Sequence, residues 1–283
     1  MQFGVNGWVW TSPVNTQAFE ELAPKVKKMG FDLFEFGIES TTDLDYARAA
    51  KVLTDNGLAV SVCAAMGPDR DLIHEDAGIR RSGMEYVAHC IDAAKTLGAK
   101  NVVGPLYSAV GRTWQQTADE RQRDTDLLVD QLKKLSAQAA DKGVTLCVEP
   151  LNRFETSFMN LSSQAIEVVD RVDSAACGIL LDTFHMNVEE KSLGNAIRAA
   201  GARLKHLHSC ENDRGAPGSG HVPWKEVAAA VKDTGYDGPV VIESFTDKVK
   251  TIARAAAIWR SFEPSQDALA ENGLKYLRGL FAS

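Results

Sequence analysis

The sequence has no long apolar run, no closely spaced pair of cysteines and no excess of basic residues. Its apolar stretches fall well short of the roughly 18 to 20 residues that cross a bilayer, so no transmembrane helix and no membrane partner are expected. The start, MQFGVNGWVW, has neither a basic segment nor an apolar core behind it, and no signal peptide is expected. The five cysteines, at 63, 90, 147, 177 and 210, are odd in number and widely spaced. That pattern argues against a disulfide framework and predicts a reducing, cytoplasmic setting. Cys63, Cys147 and Cys177 sit in or beside apolar runs and read as small buried hydrophobes. Lys and Arg number 31 against 38 Asp and Glu, a net charge of −7. Nucleic acid is therefore not the expected partner, since its recognition relies on clustered basic residues.

What the chain does have is regular alternation of short apolar runs with longer amphipathic ones. Strands are expected over 3–8, 31–36, 58–64, 101–106, 144–149, 177–182, 203–209 and 239–244. Between them, Phe19, Leu22, Ala23 and Val26 follow helical spacing, as do Met84, Val87, Ile91 and Leu97, and Leu128, Leu132, Leu135 and Ala139. Gly30, Gly57, Gly98 and Gly143 stand where helices should stop. Further helices are expected over 43–56, 162–172, 189–200 and 223–233, with a closing helix over 264–281. Eight strand-then-helix units in 283 residues predict an α/β fold, a single-domain (β/α)8 TIM barrel spanning 1–283. The rival, an open doubly wound sheet, would carry a G-x-G-x-x-G fingerprint after its first strand, and none is present.

Barrel chemistry gathers where strands end. The last four strands end in Glu149, Asp182, His208 and Glu243. Alternation puts Cys147 on the same face as Glu149, Leu180 with Asp182, His206 with His208, and Val241 with Glu243. All four polar groups can then converge on the barrel mouth. Three carboxylates that close repel one another, and a divalent cation removes the conflict. Three oxygen donors and one imidazole suit Mn²⁺, Mg²⁺ or Co²⁺.

The segments EPLNRFET (149–156), DTFHMN (182–187), HLHSCENDRGAPGSGHVPW (206–224) and VVIES (240–244), with AAMGPDRDL (64–72), resemble the ketose 3-epimerases. These are the D-tagatose, D-psicose (D-allulose) and L-ribulose 3-epimerases of the sugar isomerase/epimerase barrels. The resemblance runs nearly the whole length. It implies a metal, Mn²⁺ foremost, held by Glu149, Asp182, His208 and Glu243, with Glu149 and Glu243 doubling as the catalytic acid and base. It implies C3 inversion of unphosphorylated ketoses through a cis-enediolate, and a homodimer or homotetramer. His185 and Arg214 would contact O2 and its neighbours, and Glu155 the O1 end. Asn6 stands where several family members place an aromatic residue against the far end of the sugar. Trp8, Trp10 and Trp114, near strand ends, are candidates to wall the pocket. Arg214, in a loop of Gly, Asp and Asn, is expected to be exposed, so that its removal would leave the fold intact.

His206 reads as an inward neighbour of the metal site, while His74, His89 and His221 carry no functional expectation. GAPGSG at 215–220 lacks the Lys-Ser/Thr of a phosphate loop, and in the family it forms a lid. The alternatives are an aldose–ketose isomerase on the same barrel, an abasic-site endonuclease and a non-catalytic sugar-binding barrel. The endonuclease would need more histidines and a basic face.

Overall fold

Parallel strands cannot be joined by tight turns, and each crossover here is built around helix. The structure, a computed structural model, describes residues 1–64 and 66–282. Ala65, within the AAMGPDRDL segment, and Ser283 lie outside the described residues. The strands are β1 (Gln2–Asn6), β2 (Leu33–Ile38), β3 (Ala59–Ala64), β4 (Asn101–Gly104), β5 (Thr145–Val148), β6 (Cys177–Asp182), β7 (Leu204–Ser209) and β8 (Pro239–Ile242). Each pairs in parallel with the next, and β8 pairs with β1, so the sheet closes into an eight-stranded (β/α)8 barrel.

Around it run α1 (Thr16–Lys28), α2 (Tyr46–Asn56), α3 (Ala77–Leu97), α4 (Ala118–Lys142), α5 (Ser162–Val172), α6 (Thr183–Glu189), α7 (Leu193–Ala200), α8 (Trp224–Thr234), α9 (Lys250–Ala255) and α10 (Gln266–Phe281). The ends follow local chemistry. Thr117 and Glu120 form a reciprocal cap at the start of α4, and Gly143 ends it in the left-handed region at φ 69°. In between, Leu128, Leu132 and Leu135 face the barrel fully buried, where trimming any one to alanine costs about 2–5 kcal/mol.

Two expectations need correction, and one helix is additional. The first strand stops at Asn6, because its side chain accepts from the Trp8 amide and caps a 3-10 turn over Gly7–Val9. The helix expected over 189–200 starts later, as α7 behind its Ser192 cap, and a separate α6 starts at once behind β6, capped by Asp182. The short α9, with no strong apolar period in KTIARA, was not anticipated.

Strand alternation sorts the apolar residues into two packed groups. Leu146, Val148, Ile179, Leu181 and Leu207 belong to the large layer between barrel and helices. Cys147 and Leu180 belong to a small separate cluster with Trp8, Cys63, Val103 and Phe245. Cys147 and Leu180 lie inside the barrel one pleat below Glu149 and Asp182, which fixes the direction of those acids, while Trp8 and Phe245 of the same cluster follow the strand ends and reach the mouth.

Candidate active site

Glu149 directly follows β5, Asp182 ends β6, His208 lies within β7 and Glu243 directly follows β8. All four are buried, and one ligand atom from each lies within 4.8 Å of the others. His208 Nδ1 is 3.4 Å from Glu243 Oε2 and 3.8 Å from both Glu149 Oε1 and Asp182 Oδ2. Glu149 Oε1 and His208 Nδ1 are buried without a hydrogen-bond partner. Orphaned acceptors are costly unless something cationic answers them. Three carboxylates and one imidazole brought this close fit a divalent cation that prefers oxygen and nitrogen donors.

The electrostatics express the same crowding. Burial, reinforced by Glu243 and Asp182, pushes Glu149 up to about 8 against the pull of His208. Burial would also raise Glu243, but His208 and Arg214 prevail and hold it below the usual carboxylate range. For His208, burial opposes the charge, yet Glu243 and Glu35 outweigh it and hold the imidazolium well above its ordinary range. Two carboxylates in one site are thus driven apart in acidity.

Beneath this cluster lies a carboxylate that sequence reasoning missed. Glu35, the third residue of β2, is fully buried, 2.8 Å from His208 Nε2 and 3.0 Å from His206 Nε2. Its one sequence signal is an acid enclosed by apolar residues in LFEF, inside the strand expected over 31–36. His206 occupies the inward position expected of it.

Arg214 is not the exposed loop residue the sequence suggested. Only 3% of it is accessible. Its Nη1 donates to Asp182 Oδ2 at 2.7 Å and to Glu243 Oε2 at 2.9 Å. The guanidinium packs between the rings of Phe184 and Phe245, 4.2 and 4.6 Å from their centroids. Its backbone takes φ 68°, a left-handed conformation disfavoured for arginine. The neighbouring loop is held by the buried Glu211, which accepts from the Gly218 and Val222 amides and from Trp224 Nε1.

His185, on α6, receives the Asn152 amide at Nδ1 over 3.1 Å, so its proton sits on Nε2. That nitrogen faces Arg214 Nη2 at 3.0 Å. With the proton on Nε2 this sets donor against donor, which one oxygen accepting from both as it gains negative charge would relieve. Glu155 is held nearby by Asn152 Nδ2 at 2.8 Å. His185, Arg214, Glu155, Glu149 and Glu243 all line one cavity of about 220 Å³. Trp8, Met66, Val110 and Phe245 wall its apolar side, and Ile252, Ala255 and Ala256 of the α9 region border it.

Two candidates lie elsewhere. Asn6 is fully buried, with Nδ2 donating to Glu35 Oε1 at 3.0 Å and Oδ1 spent on the Trp8 amide. Trp114 lines a separate depression with His74 and Arg80, its ring stacked 4.0 Å from the Arg112 guanidinium. Of the three tryptophans considered, Trp8 borders the cavity, its Nε1 donating to Glu39 at 2.9 Å. Trp10 instead donates to Asp267.

The profile of the xylose isomerase-like TIM barrel family matches residues 23–280. D-psicose 3-epimerase of Agrobacterium fabrum is 33% identical over 264 residues, 90% of each chain. L-ribulose 3-epimerase of Mesorhizobium japonicum is 29% identical over 98% of this chain and 93% of its own. Among solved structures, D-allulose 3-epimerase from Methylomonas sp. in complex with D-allulose superposes with a TM-score of 0.93 at 26% identity. The match covers 99% of this chain and 96% of that one. Similarity of this extent, over the strands and loops that build the cavity, has one consequence: the chain belongs to the xylose isomerase-like TIM barrels and, within them, to the ketose 3-epimerases, enzymes of the isomerase class.

Proposed function

We propose that this protein inverts C3 of unphosphorylated ketoses with the help of a divalent metal, Mn²⁺ foremost and Co²⁺ or Mg²⁺ as alternatives. Ketohexoses such as D-tagatose, D-fructose and D-psicose, and ketopentoses such as L-ribulose, are the intended substrates. The observation that carries the reading is the buried convergence of Glu149, Asp182, His208 and Glu243 beside a sugar-sized cavity. These four residues would hold the metal. When bound, it supplies Lewis-acid polarisation of the C2 carbonyl and so acidifies the C3 hydrogen.

The chain's own residues do the rest. Glu243, held ionised, takes the C3 proton, and Glu149, reprotonated from solvent in each turnover, delivers one to the other face. Two separate carboxylates are required, because a single one returning its own proton would restore the starting configuration. The roles exchange in the reverse direction. His185 Nε2–H and Arg214 Nη2 donate to O2 as it gains charge, and Glu155 accepts from the O1 hydroxyl. Among the described residues Arg214 is the one Lys or Arg in the cavity lining, and it serves O2, which leaves no second cation there for a phosphate. Free sugars are therefore the substrates.

The same reading includes a cytoplasmic homodimer or homotetramer. Five unpaired cysteines agree with a reducing compartment. Phe154 and Trp259, 75% and 85% exposed, are rings that association could cover.

Epimerisation in D₂O tests the proposal. Solvent deuterium should enter C3 of the product and leave C1 unlabelled. Label at C1 or C2 would identify an aldose–ketose isomerase instead, and no exchange at all would leave a sugar-binding barrel.

A further inference from the structure

His208 belongs to two clusters of potential metal ligands, one with Glu149, Asp182 and Glu243 and the other with Glu35 and His206. A single imidazole can serve both only if its two nitrogens divide the work. Its Nδ1 faces the three carboxylates of the mouth, while its Nε2 lies 2.8 Å from Glu35 Oε1. At that distance the pair is a hydrogen bond with the proton on Nε2.

Glu35 is otherwise occupied. Oε1 also accepts from Asn6 Nδ2 at 3.0 Å, and Oε2 accepts from Ser61 Oγ at 2.7 Å. His206 Nε2 lies 3.0 Å from Oε2. A carboxylate offers about four lone-pair sites. Three take hydrogen bonds and an imidazole crowds the last, so no room remains for a cation on this side of His208.

We propose that Glu35 is a positioning residue: it fixes the proton of His208 on Nε2 and thereby presents the Nδ1 lone pair to the metal. Asn6 and Ser61 clamp Glu35 from β1 and β3, so three successive strands determine the orientation of one ligand on β7. The lower cluster holds a proton and not a second metal. Such an outer hydrogen bond raises ligand basicity, and its loss typically weakens metal affinity about 10- to 100-fold. The inference rests on the metal site of the proposed function.

Titration of metal-free protein with Mn²⁺, followed calorimetrically, tests it. The wild type should bind one equivalent, and Glu35→Gln should bind 10- to 100-fold more weakly. Saturating Mn²⁺ should restore much of the variant's kcat, since Glu35 acts through the metal; a merely structural role would leave kcat low at any Mn²⁺ concentration. Ser61→Ala, which removes one clamp, should give a smaller loss of affinity. Where Glu35→Gln does not fold, ¹⁵N spectra of wild-type protein loaded with Zn²⁺, a diamagnetic probe, decide the matter through protonated Nε2 and ligated Nδ1 on His208. A wild type that takes up no Mn²⁺ defeats the metal reading itself. Unchanged affinity in Glu35→Gln, two bound equivalents, or ligation through Nε2 overturns only the role given to Glu35.

Discussion

The backbone amide of Asn152 donates to Nδ1 of His185 across 3.1 Å, and this one bond decides which face of the ring can act on a substrate. It leaves Nε2–H directed at the cavity. Burial, aided by the Arg214 charge, lowers the His185 pKa to about 3. The ring should therefore stay neutral throughout the physiological range. NMR titration of its ring signals should show no step between pH 5 and 8. A step near the ordinary histidine value would mean that the ring is not held as described. His185→Ala should lower kcat more than it raises KM, because its donor strengthens on an oxygen that becomes charged.

Metal uptake should release protons. Glu149 in the metal-free protein titrates near 8, above the ordinary carboxylate range, so at pH 7 it carries a proton that a cation must displace. The sign follows: apparent metal affinity rises with pH as Glu149 loses its proton near 8 and as the His208 imidazolium gives up its own. Taken alone, the same group makes the metal-free protein less stable as pH climbs from the carboxylate range to about 8, since the folded state binds the extra proton. Calorimetry in buffers of differing ionisation enthalpy measures the release directly. Prolonged chelation should abolish activity, and Mn²⁺ or Co²⁺ should restore it better than Zn²⁺. Metal at 100 times its Kd should add about 2.7 kcal/mol of stability.

Arg214→Ala should damage the fold as well as turnover. It strips Asp182 and Glu243 of a buried partner, a change that costs about 3–5 kcal/mol where the pair is fully desolvated. Metal should offset part of that loss by neutralising the same carboxylates. Melting temperatures of variant and wild type, with and without Mn²⁺, give the comparison, and an equal deficit in both states would contradict it. Arg214→Lys should rescue little, because an ammonium cannot stack between Phe184 and Phe245 while reaching both acids.

Glu243→Gln should retain an oxygen for the metal but lose the base. Epimerisation should fall beyond the roughly 10²- to 10⁴-fold typical of losing general acid–base catalysis, because metal ligation weakens too. The variant should still exchange the C3 hydrogen of one epimer through Glu149 without inverting it. Near-normal epimerisation by this variant would show the roles to be misassigned.

The fold was legible because alternation and helix stops are local properties: Gly98 and Gly143 do end α3 and α4 in the left-handed region. The metal-ligand candidates were legible for a related reason, since a polar residue closing an apolar strand must point into the mouth or away from it. What depended on distant chain was not legible. Arg214 is buried by Phe184 and Phe245, which precede and follow it by about thirty residues, and nothing in CENDRGA announces that enclosure. Asn6 ends its strand facing Glu35 instead of the cavity, because its side-chain oxygen is drawn to the Trp8 amide. Trp114 is taken by Arg112, a neighbour two residues away, and turns to another face. Glu35 drew no expectation from its own segment, because the two imidazoles against it come from β7.

The guanidinium of Arg214, seated between two rings and bridging Asp182 to Glu243, gives the protein an internal counter-ion. An acidic pocket without its metal would ordinarily swell under its own repulsion. Here a tethered charge stands guard, so loss of metal should leave a closed and reloadable protein. The same tether sets a threshold: an arriving cation must outcompete a resident one, and weakly binding ions are refused before any sugar enters.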